Sequence, residues 1–233
     1  MLKEHFRCVS DIINYSNKLS YDGKIKPLRD TNEIYTTPHI INYSVDGKRK
    51  GKTNKTEAET IVSIIKACTE QEEYKDKTFG VISLLGNEKD EQVGLIQNLV
   101  GERLDLALKE KLNLRVGAAP DFQGDERDVI LLSMVDSNEN DGPLRLSDIE
   151  KRETKQRYNV AVSRARDQIW IVNSLDLSRD LKTNDIRRDL LEYANDPKLF
   201  SDKILNIKIK SESPFEREIA EFLVSKNYNI IQQ

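Results

Sequence analysis

A chain of 233 residues has the length for one substantial domain with additions, and its 37% hydrophobic residues can build a core while 33% charged residues keep the surface wet. With 37 basic against 40 acidic residues it is no polycation, and no run approaches the roughly 20 apolar residues that cross a bilayer. The two cysteines, Cys8 and Cys68, stand far apart without Cys or His at metal spacing, which supports neither a disulfide framework nor a zinc centre and fits a reducing, cytoplasmic setting.

Over residues 4–21, Val9, Ile12, Ile13 and Asn17 recur at helical spacing, and Asp22-Gly23 predicts the turn that ends the helix. Residues 39–45 (HIINYSV) are β-rich and close at Asp46-Gly47. Ala58, Ile61, Ile65 and Cys68 restore a helical period over 56–72, and 79–85 (FGVISLL) is an apolar run of buried-strand type. A helix is predicted over 91–108, with Val93, Ile96, Leu99 and Val100 on one side. Two further apolar runs, 129–135 and 168–172, predict strands on either side of a helix over 153–166. Residues 136–148 are polar with Gly142-Pro143 and predict an exposed loop. Past Asp176 come a charged helix over 180–195, a connector, a helix from Ser213-Pro214 to about residue 225, and the opening of a strand at 229–233. Apolar strands alternating with helices argue for an α/β fold, a mostly parallel sheet wrapped by helices.

Gly47 to Thr53 spells GKRKGKT between a predicted strand and a helix, and is one residue short of a phosphate-binding P-loop. The position five residues before Gly51, where the motif's first Gly belongs, holds Asp46, whose carboxylate would repel phosphate, and Lys48, Arg49 and Lys50 fill the loop where small residues belong. A solvated basic hairpin or loop is the better reading, and the fold is expected to lack its own P-loop.

Three separated segments together resemble the motor motifs of superfamily 1 helicases, in the branch related to the nonsense-mediated-decay helicase. Residues 2–17 (LKEHFRCVSDIINYSN) look like an aromatic-Arg pair followed by a helix. Residues 119–135 (APDFQGDERDVILLSMV) resemble motif V, and 157–172 (RYNVAVSRARDQIWIV) resemble motif VI. Ala118, Pro120 and the stretch Leu84-Leu85-Gly86 depart from the commonest pattern and resemble a bacterial subgroup. The resemblance covers residues 2–176 and implies a RecA-like domain, the second of two, whose arginines complete an ATP site shared with the N-terminal RecA-like domain of the same parent chain.

On that resemblance Arg164 matches the arginine finger and Arg7 its partner, Phe6 the aromatic near adenine, and Glu126 the acid on the ribose, with Gly124 permitting close backbone approach. Independently, Arg157, Ala161 and Arg164 recur at intervals of four and three, which predicts both guanidiniums on one helical stripe, suited to forked phosphate contact. Strand ends are the usual ligand positions in open α/β sheets, so Ser83 and Ser133 are the expected nucleic-acid contacts. The cofactors implied are ATP and Mg2+, with the magnesium ligands on the other motor domain, and the partner is single-stranded nucleic acid, DNA ahead of RNA, with no membrane. Residues 212–233 resemble the first helix and strand of a very-short-patch-repair-type nuclease. The expected organisation is a motor domain over 1–176, a helical connector over 177–210 and the start of a nuclease domain over 211–233, the fragment alone being inactive. Two rival readings stand beside it: a non-catalytic nucleic-acid or protein-binding module that keeps a motor fold, and a self-sufficient NTPase using Lys52.

Overall fold

The computed structural model describes residues 4–31, 34–138 and 143–197. The predicted helix and strand past residue 212, with the nuclease-like segment, lie outside the described residues.

The chain opens with a two-residue strand β1 (Glu4–His5), helix α1 (Ser10–Ser20) and β2 (Lys26–Pro27), which pairs parallel to β1. Strand β3 (Ile40–Ser44) follows, then an antiparallel hairpin of β4 (Arg49–Lys50) and β5 (Thr53–Asn54), and helix α2 (Lys55–Thr69). Next come β6 (Phe79–Ser83), α3 (Gln92–Arg103), α4 (Leu106–Lys111), β7 (Arg115–Ala118) and β8 (Arg127–Ser137). Helix α5 (Arg152–Val162), β9 (Ala165–Ser174) and α6 (Ile186–Asn195) complete the unit. Five strands form one sheet in the order β3-β9-β8-β6-β7, every neighbouring pair parallel. The expected α/β sheet is therefore present, with helices on both faces.

Strand alternation assigns those faces. Val129 and Leu131 of β8, with Val172 of β9, join Ile61, Ile65, Ile96 and Leu99 in the core beneath α2 and α3. Ile130 turns the other way, toward Phe122, and the helices α1 and α5 pack together on β9. Between these layers β6 is buried at all five positions. Gly80 fits there because an added Cβ would lie 2.6 Å from Ile130 Cδ1 and 2.9 Å from Phe122 Cε1. Tyr15 and Tyr193 meet at a ring separation of 5.3 Å, and the Tyr193 hydroxyl donates to the Asp11 carbonyl at 2.6 Å, docking α6 on α1.

Several boundaries differ from the sequence expectation. The helix expected over 91–108 breaks at Leu104, whose backbone is extended, and Asp105 caps a new helix by accepting the Leu108 N–H at 2.7 Å. Strand β7 (RVGA) was not anticipated, because an edge strand of four residues containing Gly117 carries no apolar run. Strand β8 continues into the expected loop as far as Ser137. Of the charged helix expected over 180–195, only Ile186–Asn195 is helical: Asp180 folds back to accept the Asp176 N–H, and Asp185 accepts those of Ser147 and Arg187. Finally, GKRKGKT forms a short hairpin, with Arg49 paired to Asn54 and Lys50 to Thr53 around a turn at Gly51 and Lys52, Gly51 having φ +61°. Extended strands cannot curl successive N–H groups around a phosphate.

Candidate functional site

The amino ends of β8 and β9 lie side by side, Arg127 opposite Ala165, and the N-terminal segment is moored across them. Val9 N–H donates to the Arg166 carbonyl at 2.9 Å, and the Cys8 thiol reaches the Ser163 carbonyl at 3.5 Å. Beneath, Arg29 Nη1 donates to the carbonyls of Arg7 at 2.5 Å and Arg166 at 2.7 Å, and its Nη2 grips Asp167. Asp167 is 1% exposed and takes Lys77 Nζ at 2.7 Å as well. A buried charge knot thus fixes the backbone on which two surface arginines stand.

Above the knot, Arg7 Nε pairs with Glu126, while Arg166 lies 3.7 Å from Glu126 and 3.5 Å from Asp128. Arg164 is held differently: Nε donates to the Val160 carbonyl at 3.2 Å and Nη1 to the Asp125 carbonyl at 3.3 Å. It has no carboxylate partner among the described residues. Burial, and next the Arg7 charge, hold the Arg164 pKa below its ordinary value. Asp125, despite its burial, is kept low by Arg127 and Arg115, so its charge is already spent. Burial pushes the neighbouring Cys8 thiol up to about 12, leaving it inert. The result is a partly exposed patch with three guanidiniums, one unpaired, arranged to accept an anion.

Three expected residues therefore meet: Arg7, Arg164 and Glu126. Gly124, two residues before Glu126, has φ +83° and open space where a Cβ would stand, so its backbone is approachable. Phe6 is 64% exposed beside Arg7. The expected stripe of Arg157 with Arg164 does not form. Ala161 between them is fully buried, Arg157 is exposed, and Arg164 lies past the helix cap at Ser163.

Ser83 and Ser133 are paired in register at the carboxyl ends of β6 and β8. Ser133 lies six positions along the strand from Arg127, about 20 Å at the usual rise. Both serines are buried. The Ser83 hydroxyl donates to the Leu85 carbonyl, and that of Ser133 donates to Glu57 at 2.7 Å while accepting from Gln92 at 3.0 Å. Both hydroxyls are thus buried and engaged within the fold, contrary to the expectation that they contact nucleic acid directly. Glu57 also accepts from Val135 N–H at 2.8 Å, Ser174 at 3.1 Å and Asn54 at 3.2 Å, yet burial pushes its carboxyl up to about 7.

Arg29, Arg166 and Glu57 were not singled out in the sequence. Arg166 had a signal, since Arg164-Ala-Arg166 enters a strand, and so did Glu57, third after the helix-capping Asn54. Arg29 had none, because it reaches Asp167 from 138 positions away. Among the described residues no group of three or more His, Cys, Asp or Glu could hold a metal ion, and no helix is long and apolar enough to cross a membrane.

Sequence comparison matches residues 1–176 to a family described as AAA domain. An uncharacterized ATP-dependent helicase, the MG140 homolog of Mycoplasma pneumoniae, is 30% identical over 210 residues, covering 83% of this chain and 18% of its own. The regulator of nonsense transcripts 1 homolog of Drosophila melanogaster is 31% identical over 128 residues, covering 51% of this chain and 10% of its own. The chain thus spans less than a fifth of either relative's length. Among solved structures, the C-terminal domain of a possible DNA helicase from Lactobacillus plantarum WCFS1 aligns over 76% of this chain and 90% of its own, at 10% identity and a TM-score of 0.37.

Proposed function

The chain belongs to the AAA domain family, and from that premise we propose that it works as the second RecA-like motor domain of an ATP-dependent superfamily 1 helicase. It is a helicase-family domain homologous to ATP-dependent helicases. The finer reading rests on one observation above all: Arg164 is a half-buried guanidinium without a carboxylate partner among the described residues, fixed by two backbone carbonyls and lying beside Arg7. Keeping an uncompensated cation in partial burial costs stability, and such groups are retained where an anion arrives.

Bound ATP with magnesium would supply the transferable γ-phosphoryl group. The residues present fit its phosphates: Arg164 and Arg7 offer planar donors, and Arg166 has a buried Nε with no hydrogen-bond partner among the described residues. Gly124 leaves the backbone open for close approach, and Phe6 offers an exposed ring for the base. Arg7 is neutralised by Glu126 at rest, so an arriving phosphate competes with that carboxylate, which is then free to accept from a ribose hydroxyl. Arg164 stabilises charge that develops on the leaving group. The N-terminal motor domain of the parent supplies the P-loop and the magnesium ligands. Closure of the two domains on ATP, and their release, shift them along a single strand, DNA ahead of RNA. By itself the chain does not turn over ATP.

The self-sufficient NTPase reading fares poorly, since Lys52 sits in a hairpin turn and is bound to Glu91 at 2.5 Å. An Arg164→Ala variant of the full-length parent tests the proposal by its ATP turnover.

A further inference from the structure

The hairpin that fails as a P-loop stands at the carboxyl edge of the sheet, the opposite end from the arginine patch. Its alternation sorts KRKGKTNK into two faces. Arg49 and Asn54 face inward: Arg49 Nη1 meets Asp136 at 2.6 Å, its N–H donates to Ser137 Oγ at 2.6 Å, and Asn54 is buried with Glu57. Lys48, Lys50, Thr53 and Lys55 face outward and, with Lys89 from the loop before α3, line a cleft of about 450 Å³. That volume lies within the range of ligand sites, about 300 to 1,000 Å³.

The charges in this cleft are unevenly satisfied. Lys55 stands 3.8 Å from Glu59, and Glu91 on the cleft wall is committed to Lys52. Lys48, Lys50 and Lys89 are exposed and make no ion pair among the described residues, against one uncommitted carboxylate on the wall, Asp90. Lys48 and Lys50 on the anchored hairpin, with Lys89 from the loop before α3, give this cleft a surface for successive phosphates. The anchor is specific: Asp136 also takes Arg187 of α6 at 2.6 Å, and Asp136 and Ser137 end the strand whose first residue adjoins Glu126.

We propose that Lys48, Lys50 and Lys89 bind the phosphodiester backbone of a single nucleic-acid strand in this cleft, so that β8 joins the strand site at one end to the arginine patch at the other. The choice of nucleic acid as the polyanion rests on the helicase reading; the cleft itself rests on its lysines. Backbone contact through ammonium groups carries no base information, so DNA and RNA of equal length bind through the same three residues.

The test measures binding of the full chain, without ATP, to labelled oligothymidylate and oligouridylate of about 20 nucleotides across a salt series. Two variants of equal charge change are compared: Lys48→Ala/Lys50→Ala/Lys89→Ala in the cleft, and Lys66→Ala/Lys75→Ala/Lys111→Ala on exposed positions away from it. The cleft variant is expected to lose affinity about tenfold or more and to flatten the log-log salt slope by about 2, as removal of three phosphate contacts requires. The distant variant keeps both. Equal losses in the two variants, or an unchanged slope in the cleft variant, overturn the proposal, as does failure of the wild-type chain to bind either oligonucleotide. The outcome is separable from the motor reading, because in the full-length parent the cleft variant retains strand-independent ATP turnover, whereas failure of the motor reading appears as normal turnover in Arg164→Ala.

Discussion

Arg7 Nε rests on the carboxylate of Glu126, tying the N-terminal segment to the residue that precedes β8. The two side chains are 44% and 35% exposed. Pairs so open to water contribute at most about 1 kcal/mol to stability, so the contact matters for where Arg7 waits more than for folding.

A double-mutant cycle of Arg7→Ala and Glu126→Ala is therefore expected to give a coupling no larger than about 1 kcal/mol in urea unfolding. In the parent, Arg7→Ala nonetheless lowers ATP turnover. A coupling of several kcal/mol would mean the pair is structural and the site reading misplaced.

Asp167 behaves in the opposite way. Its carboxylate is 1% exposed and holds Arg29 and Lys77, whose side chains are 14% and 25% exposed. Asp167→Ala leaves two partly buried cations without their counter-charge and is expected to cost about 3 to 5 kcal/mol. Chemical denaturation measures this directly, and a loss below about 1 kcal/mol would show that water already screens the knot.

Glu57 gives a pH dependence with a definite sign. Burial raises its carboxyl from 4.5 to about 7, against the pull of the Ser133, Val135 and Ser174 hydrogen bonds. Between those values the folded chain keeps a proton that the unfolded chain releases, so this contribution is complete below 4.5 and is lost as pH rises through about 7. The stability difference between wild type and Glu57→Gln is expected to shrink by on the order of 3 kcal/mol from pH 4.5 to 8, at about 1.4 kcal/mol per unit. A difference that stays level across that range would show Glu57 ionised throughout.

The layered fold was legible because its signals are local. Runs such as FGVISLL and VILLSMV need only burial on both faces to become central strands, and the helices between them carry their own period. What escaped was set by distant partners or by the absence of an apolar demand. Strand β7 sits at an edge with few apolar residues to show, and Leu104 leaves its helix because Asp105 caps the next. At the site, Arg7, Glu126 and Arg164 were named from motif resemblance, yet the geometry that binds them depends on Arg29, whose partners lie 22, 137 and 138 positions away. Arg157 was misplaced because helical periodicity was carried past Ser163, where the helix stops.

The central claim is that Arg164 acts on the phosphates of a shared ATP site. The most direct measurement is steady-state ATP turnover of the full-length parent carrying Arg164→Ala or Arg164→Lys, with thermal unfolding of each as a control. Loss of a finger arginine is expected to lower turnover about a thousandfold, with little recovery in the lysine variant, since an ammonium cannot reproduce the planar fork, and with the unfolding midpoint nearly unchanged. Near-normal turnover in Arg164→Ala with an intact fold would contradict it.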